Sequence, residues 1–359
     1  MRRYIIGFLA TIGFLVILFV CVGIGLGLWL WNRPHGPELA ANTVLTLDLT
    51  VAPPDEPDSR GISQLLFPSG LTLADTLEAL HHASNDPHIT GLVARIGDSG
   101  MGFAEIQELR DAIAAFRAKG KRAVAYTDTF GELSSGMRSY YLASAFNQIW
   151  LQPMGTLGLV GLSAGMPYFR GTLDRLGIVP DFERREQYKD AANPLIDTAM
   201  TGPEREEIQA LLQSVFGQIV QGIAVDRKLT PDAVKALINQ APLLAQAALK
   251  AHLVDHIGGR AGAISSFGAT PRLVSLGDYL DQVGPLNHSG PTIALIYATG
   301  LMARGGGGTN PLSGDGIMNA DDIVRAFRLA AASKSVRAIL FRINSPGGSA
   351  TILLAGAAM

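Results

Sequence analysis

The stretch LADTLEALHHASNDPHITGLVARIGDSG, residues 73–100, returns in altered form as NADDIVRAFRLAAASKSVRAILFRINSPG, residues 319–347. A shift of 247 positions lays Asp75 on Asp322, Ala79 on Ala326, Ala83 on Ala330, Arg95 on Arg342, Ile96 on Ile343 and Gly100 on Gly347. Each copy opens with a helical period (Leu73, Leu77 and Leu80; Ile323 and Phe327) and runs into a short apolar segment, Leu92–Ala94 or Ile339–Phe341. One helix-then-strand unit used twice accounts for both. The first copy continues for about sixty residues beyond the repeat, the second for a dozen.

Outward from the repeat, strand and helix signals alternate. Val44–Val51 alternates apolar and polar as a half-buried strand does, and Thr292–Tyr297 is its counterpart in the second copy. Ile106, Leu109, Ile113 and Phe116 mark an amphipathic helix stopped by Gly120, and Ala123–Tyr126 and Gln148–Leu151 read as further strands. Such alternation implies a largely parallel sheet built from crossover units. From Tyr168 the chain turns helical, with Glu204–Ala224 the longest stretch and Pro231–Asn239 and Leu244–Leu249 after it. The glycines 305–308 read as a loop, because no Lys-Ser or Lys-Thr follows to make a phosphate site. The expected division is 1–32, 33–165, 166–290 and 291–359: a membrane anchor, a first α/β unit, a Lys189-bearing strand with a helical segment, and a shortened second unit.

Tyr4–Trp31 carries no charge over 28 residues, more than the roughly 20 that a membrane-crossing helix needs. Arg2 and Arg3 precede it, which places that end in the cytoplasm. A cleaved signal peptide would have a shorter apolar core and a small-residue cleavage site. Net charge is −2 with scattered Lys and Arg, which argues against a nucleic-acid partner. The single cysteine, Cys21, falls inside the apolar run.

Two segments carry candidate chemistry: Phe341-Arg-Ile-Asn-Ser-Pro-Gly-Gly-Ser349 after a strand, and Gln187-Tyr-Lys-Asp-Ala-Ala-Asn-Pro194 before the helical region. Adjacent glycine N–H groups can stabilise an oxyanion, and a lysine kept neutral can act as a base. Together with Tyr140-Tyr-Leu-Ala143 and Ala251–Gly258, these segments resemble the signal peptide peptidase A family in its long, duplicated bacterial form. The resemblance implies a crotonase- or ClpP-like tandem fold and a membrane-anchored serine endopeptidase with a Ser–Lys dyad. It implies signal-peptide-like hydrophobic peptides as substrates, assembly into a homo-oligomer (a tetramer in the family), no cofactor and no metal. It places the chain in a bacterial inner membrane with its bulk periplasmic. Lys189 matches the general base, and Gly347 and Gly348 match the oxyanion glycines.

The nucleophile departs from the pattern. At the matching place in the first copy stands Met137, followed by Arg138 and Ser139, and the repeat offset puts the second-copy serine near position 384. Ile352–Met359 lacks the charged helix expected there, so the sequence reads as truncated and inactive alone. Ser134 and Ser135 read as helix caps and not as substitute nucleophiles. His252 and His256 are spaced as a pair of helix-borne metal ligands but lack a third, and residues 183–186 read as a solvated charge cluster. The alternatives are a membrane-tethered pseudoprotease or peptide-binding scaffold, and a crotonase-type acyl-CoA enzyme, which the anchor and Tyr188-Lys189 disfavour. An unfinished second unit leaves a sheet edge open, and poor solubility or proteolysis beyond about residue 290 is expected.

Overall fold

The computed structural model describes residue 13 and residues 17–20, 22–25, 39–56, 70–131, 134–284, 290–303, 308–309 and 316–348. The first unit runs β1 (Thr43–Leu49), α1 (Leu73–Asn85), β2 (Ile89–Ile96), α2 (Phe103–Ala118), β3 (Arg122–Thr127), α3 (Met137–Ser144), β4 (Gln148–Leu151) and β5 (Thr156–Leu157). An arm follows with α4 (Arg170–Arg175), α5 (Asn193–Ile196), the long α6 (Gly202–Arg227) and α7 (Pro231–Ile238). The chain then returns through β6 (Leu243–Leu244), α8 (Ala245–Lys250), β7 (His256–Ile257), α9 (Arg260–Ser265), β8 (Arg272–Ser275) and α10 (Leu276–Val283). The second copy contributes β9 (Thr292–Thr299), β10 (Leu301–Ala303), β11 (Gly308–Thr309), β12 (Gly316–Asn319), α11 (Ala320–Ala332) and β13 (Val336–Asn344).

The fold is α/β with a parallel sheet in the order β7-β4-β3-β2-β1-β8. Parallel neighbours need crossover connections, so both faces of such a sheet become covered. Leu45, Leu47 and Leu49 of β1 and Leu92, Ala94 and Ile96 of β2 point to one face, into the core shared with α1, α2 and α3. Val44, Val93 and Val124 point to the other, where α9 brings Ala263. The period-two alternation of the strands thus assigns each residue its layer. β7 and β8 were not legible as strands, yet they complete the two edges of this sheet.

The duplication holds in three dimensions. Displaced by 247 positions, α1 falls on α11 residue for residue, and β13 pairs with β9 in parallel as β2 pairs with β1. Both helices start from side-chain caps. Thr72 Oγ1 accepts from Asp75 N, and Asn319 Oδ1 accepts from Asp321 N at 3.1 Å. The second sheet is thinner than the first. β13 has only β9 beside it among the described strands, and Ile293, Leu340 and Ile343 are exposed on its faces.

Of the Tyr4–Trp31 span, the structure describes residue 13, residues 17–20 and residues 22–25, all helical; the rest of that expectation lies outside the described residues. Among the described residues the one helix long and apolar enough to cross a membrane is α6, not an N-terminal one. Its C-terminal half is docked on the first unit, burying Ile219, Val220 and Ile223. Gly222 lets it come close, since a Cβ there would lie 2.6 Å from the Tyr141 ring. Asp226 pairs with Arg110 at 2.7 Å beside that contact. The C-terminal half of α6 thus docks through one apolar stripe, while Leu211 and Val225 remain exposed.

The second copy is tied to the first by charge. Arg342 of β13 pairs with Asp55 and with Glu108 of α2, each at 2.8 Å, and Asn344 donates to Asp55 and to Glu105, the latter at 3.1 Å. The Asp55 side chain is 3% exposed, so its charge depends on these partners. Hydrogen bonds to Glu108, then Asp55, raise the Arg342 guanidinium above its ordinary value. Removing one member of a buried pair costs about 3–5 kcal/mol. With Arg342 partly solvated, Arg342→Ala is expected at the lower end of that range. In limited proteolysis the variant should lose the segment beyond residue 290 several-fold faster than wild type while residues 39–284 persist. Equal cleavage rates would show that the clamp does not hold the copies together.

Candidate active site

Lys189 lies on the arm, just after a turn at residues 187–188, and not on a strand as the sequence pattern suggested. Its side chain is exposed, and its N–H reaches Glu186 O at 3.5 Å. Among the described residues no apolar side chains bury it. Tyr188, the preceding residue, donates from its hydroxyl to Glu206 Oε2 at 3.1 Å, and that hydrogen bond raises the phenol above its ordinary value. The charge cluster at 183–186 is not simply solvated. Arg184 donates to Asn193 Oδ1 and lies 3.9 Å from Asp197, while Glu186 adopts a left-handed φ of 63°.

Gly347 and Gly348 follow β13 directly. Their φ angles of 101° and 152° lie in the region that side-chain-bearing residues avoid. A Cβ on Gly348 would fall 2.1 Å from Met302 O, so only glycine fits against β10. Gly347 O accepts from Met302 N at 2.9 Å, and Gly347 N–H turns back to donate to Ser345 Oγ at 3.1 Å. An oxyanion role for Gly347 therefore requires the Ser345 hydroxyl to yield its donor. Among the described contacts, none joins Lys189 to this turn.

The first copy shows what became of the same place there. Gly100 keeps the positive φ, at 79°, but Met101 replaces the second glycine and is buried. The Met101 carbonyl accepts from Arg138 at 3.0 Å. What space remains between Asp98, Gly100, Met101 and Ser139 is about 10 Å³, room for a water at most. The nearby serines are engaged elsewhere. Ser134 donates to Asp98, Ser135 to Gly161 O at 3.1 Å and Ser139 to Gly136 O at 3.3 Å. Ser135 Oγ also accepts from Met137 N at 3.4 Å, a long version of the expected cap, whereas Ser134 makes none. Met137 is buried at the first turn of α3.

The histidine pair does not share a helix. α8 ends at Lys250, His252 has a left-handed φ of 57°, and His256 belongs to β7, stacked on Trp150 with centroids 4.3 Å apart. The i, i+4 spacing therefore carries no geometry for a metal.

Residues 115–270 match peptidase family S49. The chain is 28% identical over 303 residues to Protease 4 of Haemophilus influenzae, covering 79% of this chain and 48% of that protein. It is 28% identical over 322 residues to the chloroplastic serine protease SPPA of Arabidopsis thaliana, covering 86% and 45%. By sequence, the chain is similar to SppA-type proteases over most of its length. It spans about half the length of these SppA-type relatives. Among solved structures, an enoyl-CoA hydratase from Polaromonas superposes with a TM-score of 0.25 at 15% identity, covering 55% of this chain and 63% of that one.

Sequence reasoning found the lysine turn and the diglycine turn but missed what holds each in place. Arg342 and Asn344 stand within a motif whose sequence names no partner for either. The Thr201–Glu204 capping box, a Thr-x-x-Glu pattern, was readable and would have drawn attention to Glu204. Gly348→Ala is expected to destabilise the second unit by about 2 kcal/mol or more through strain plus the clash with Met302. Gly100→Ala, strained in the same way but with open space at its Cβ, should cost about 1 kcal/mol. Hydrogen exchange at residues 345–348 and 99–102 would compare them, and an equal effect would remove the steric argument.

Proposed function

We propose that this chain carries two of the three parts of a Ser–Lys endopeptidase acting on signal-peptide-like hydrophobic peptides. In this reading Lys189 is the general base, and the turn at Gly347 and Gly348 offers the oxyanion donors. The nucleophile belongs to the second copy, near position 384, outside these 359 residues. The observation that carries the reading is the contrast between the copies. In the first, the turn is filled by Met101 and the hydroxyls of Ser134, Ser135 and Ser139 are committed; in the second, Gly348 keeps the turn open to close backbone approach.

The chemistry follows from the parts. A neutral Lys189 Nζ takes the serine proton as the serine oxygen attacks the scissile carbonyl. The carbonyl oxygen becomes an anion that backbone N–H groups stabilise, and the lysinium then returns the proton to the leaving amine. Lys189 must be desolvated to be neutral near pH 7, and its present exposure means that a segment packs over the arm when the site is assembled. The exposed Ile178, Val179 and Phe182 on the arm supply an apolar surface for that packing and for the homo-oligomer that the SppA resemblance implies. Tyr4–Trp31 would anchor the chain in a bacterial inner membrane, leaving the bulk periplasmic.

A second reading, a tethered scaffold that binds peptides without cleaving them, is favoured by the same commitment of the first-copy serines. The two separate by activity. The 359-residue chain should not hydrolyse a hydrophobic peptide ester above the blank, whereas the chain extended by its native coding sequence through position 384 should. In the extended protein Lys189→Ala should lower kcat roughly 10²–10⁴-fold. Retained activity in that variant would take Lys189 out of the mechanism, and an extended protein without turnover would favour the scaffold.

A further inference from the structure

The arm inverts the usual distribution of polar and apolar side chains. Ile178, Val179 and Phe182 are exposed, whereas Asn193 and Glu204, at the root of the Lys189 turn, are both 0% exposed. Nothing in the proposed chemistry uses either. Buried carboxylates and amides are retained only with near-complete hydrogen bonding, and here the set is full. Tyr168 Oη donates to Glu204 Oε1 at 2.5 Å, and Asn193 Nδ2 donates to Oε2 at 2.9 Å. Thr201 N–H donates to the same Oε2 at 3.2 Å, and Arg184 donates to Asn193 Oδ1. Burial pushes the Glu204 carboxyl up, but the hydrogen bonds from Tyr168, Asn193 and Thr201 outweigh it and hold the group below its ordinary value. The Tyr168 phenol is pushed up to about 12, by burial first and by Glu204 second.

This knot reaches the lysine through the backbone. Asn193 N–H donates to Asp190 O at 2.8 Å, immediately after Lys189, and the Lys189 N–H closes the preceding turn on Glu186. Phe169 N–H donates to Pro194 O at 2.7 Å, fastening the other side of α5. The Lys189 side chain, being exposed, does not hold its own turn.

We propose that Glu204, acting through Asn193, is a positioning residue for Lys189. Its carboxylate fixes the amide of Asn193, and the turn that leads back from Asn193 sets where the lysine stands. The proposal rests on Lys189 being the base. A purely capping role for Glu204 on α6 would need Thr201 alone and would leave Lys189 unmoved.

The test labels the 359-residue chain with [15N]lysine and assigns the Lys189 amide by its loss in Lys189→Arg. Glu204→Leu and Asn193→Asp should shift that amide while those of Lys121 and Lys235, on other elements, stay in place. In Asn193→Asp a carboxylate faces Glu204. Adding Glu204→Gln to it turns the clash into an amide-to-carboxylate hydrogen bond, so the double variant should return the Lys189 amide towards its wild-type position. In the protein extended through its nucleophile, Asn193→Asp should lower kcat roughly 10- to 100-fold with KM unchanged, the scale expected for a misplaced catalytic group. The double variant should recover part of that loss.

An unmoved Lys189 amide in Asn193→Asp would overturn the proposal. So would displacement of all lysine amides together with no recovery in the double variant, which is the signature of general unfolding. Full activity in Lys189→Ala would instead overturn the base assignment, leaving the amide result standing.

Discussion

Arg342 reaching Asp55 is the interaction on which a divided site depends. The diglycine turn proposed to hold the oxyanion sits at the end of β13, three residues after Asn344, and the lysine proposed as base sits on an arm that grows from the first unit. Neither location has meaning unless the two copies are held in one orientation. Two thin strands with exposed faces supply little apolar burial for that purpose, so the orientation rests on directional bonds. The planar guanidinium bridges Asp55 and Glu108, and Asn344 places its amide between Asp55 and Glu105. A buried ion pair of this kind adds little net stability over a hydrophobic substitute. It does reject wrong orientations, because any other docking leaves Asp55 charged and unpaired.

The repeat was fully legible because it follows local physics. Helical and strand periods, capping residues and glycine positions can be read along the chain, and α11 stands where the displacement of α1 put it. What was not legible was contact between segments distant in sequence. β7 and β8 are short strands without strong alternation, and they exist because the edges of the first sheet supply partners for their backbone. The sequence pattern around Lys189 suggests a strand. In the structure it is a turn, with the Lys189 N–H on Glu186 O and the Asn193 N–H on Asp190 O. His252 and His256 failed for the same reason: spacing implies a shared face only while one helix continues, and α8 stops at Lys250.

The buried polar knot at Glu204 belongs to the same class of contact. A capping box announces a helix start, and Thr201 with Glu204 does that much. The second use of Glu204, as acceptor for Tyr168 and Asn193, requires three segments to converge, and no local pattern reports it. Burial reports it instead, since a carboxylate with no exposed surface among exposed apolar residues needs a reason to be there.

The two copies also show how a duplicated turn can diverge without losing its backbone. Gly100 and Gly347 both hold positive φ, so the chain path was kept in each. The difference is one residue further on. Met101 packs inward and fixes Arg138 through its own carbonyl, turning the first turn into part of a core. Gly348 admits Met302 O to a distance that no side chain tolerates, keeping the second turn a bare strip of backbone. The first change adds packing to the unit that carries the sheet, and the second lets the backbone of the turn lie directly against β10. If the proposed function holds, the turn that would do chemistry stands in the second copy and the lysine on the first, and the contacts of Arg342 with Asp55 and Glu108 are what fix one against the other.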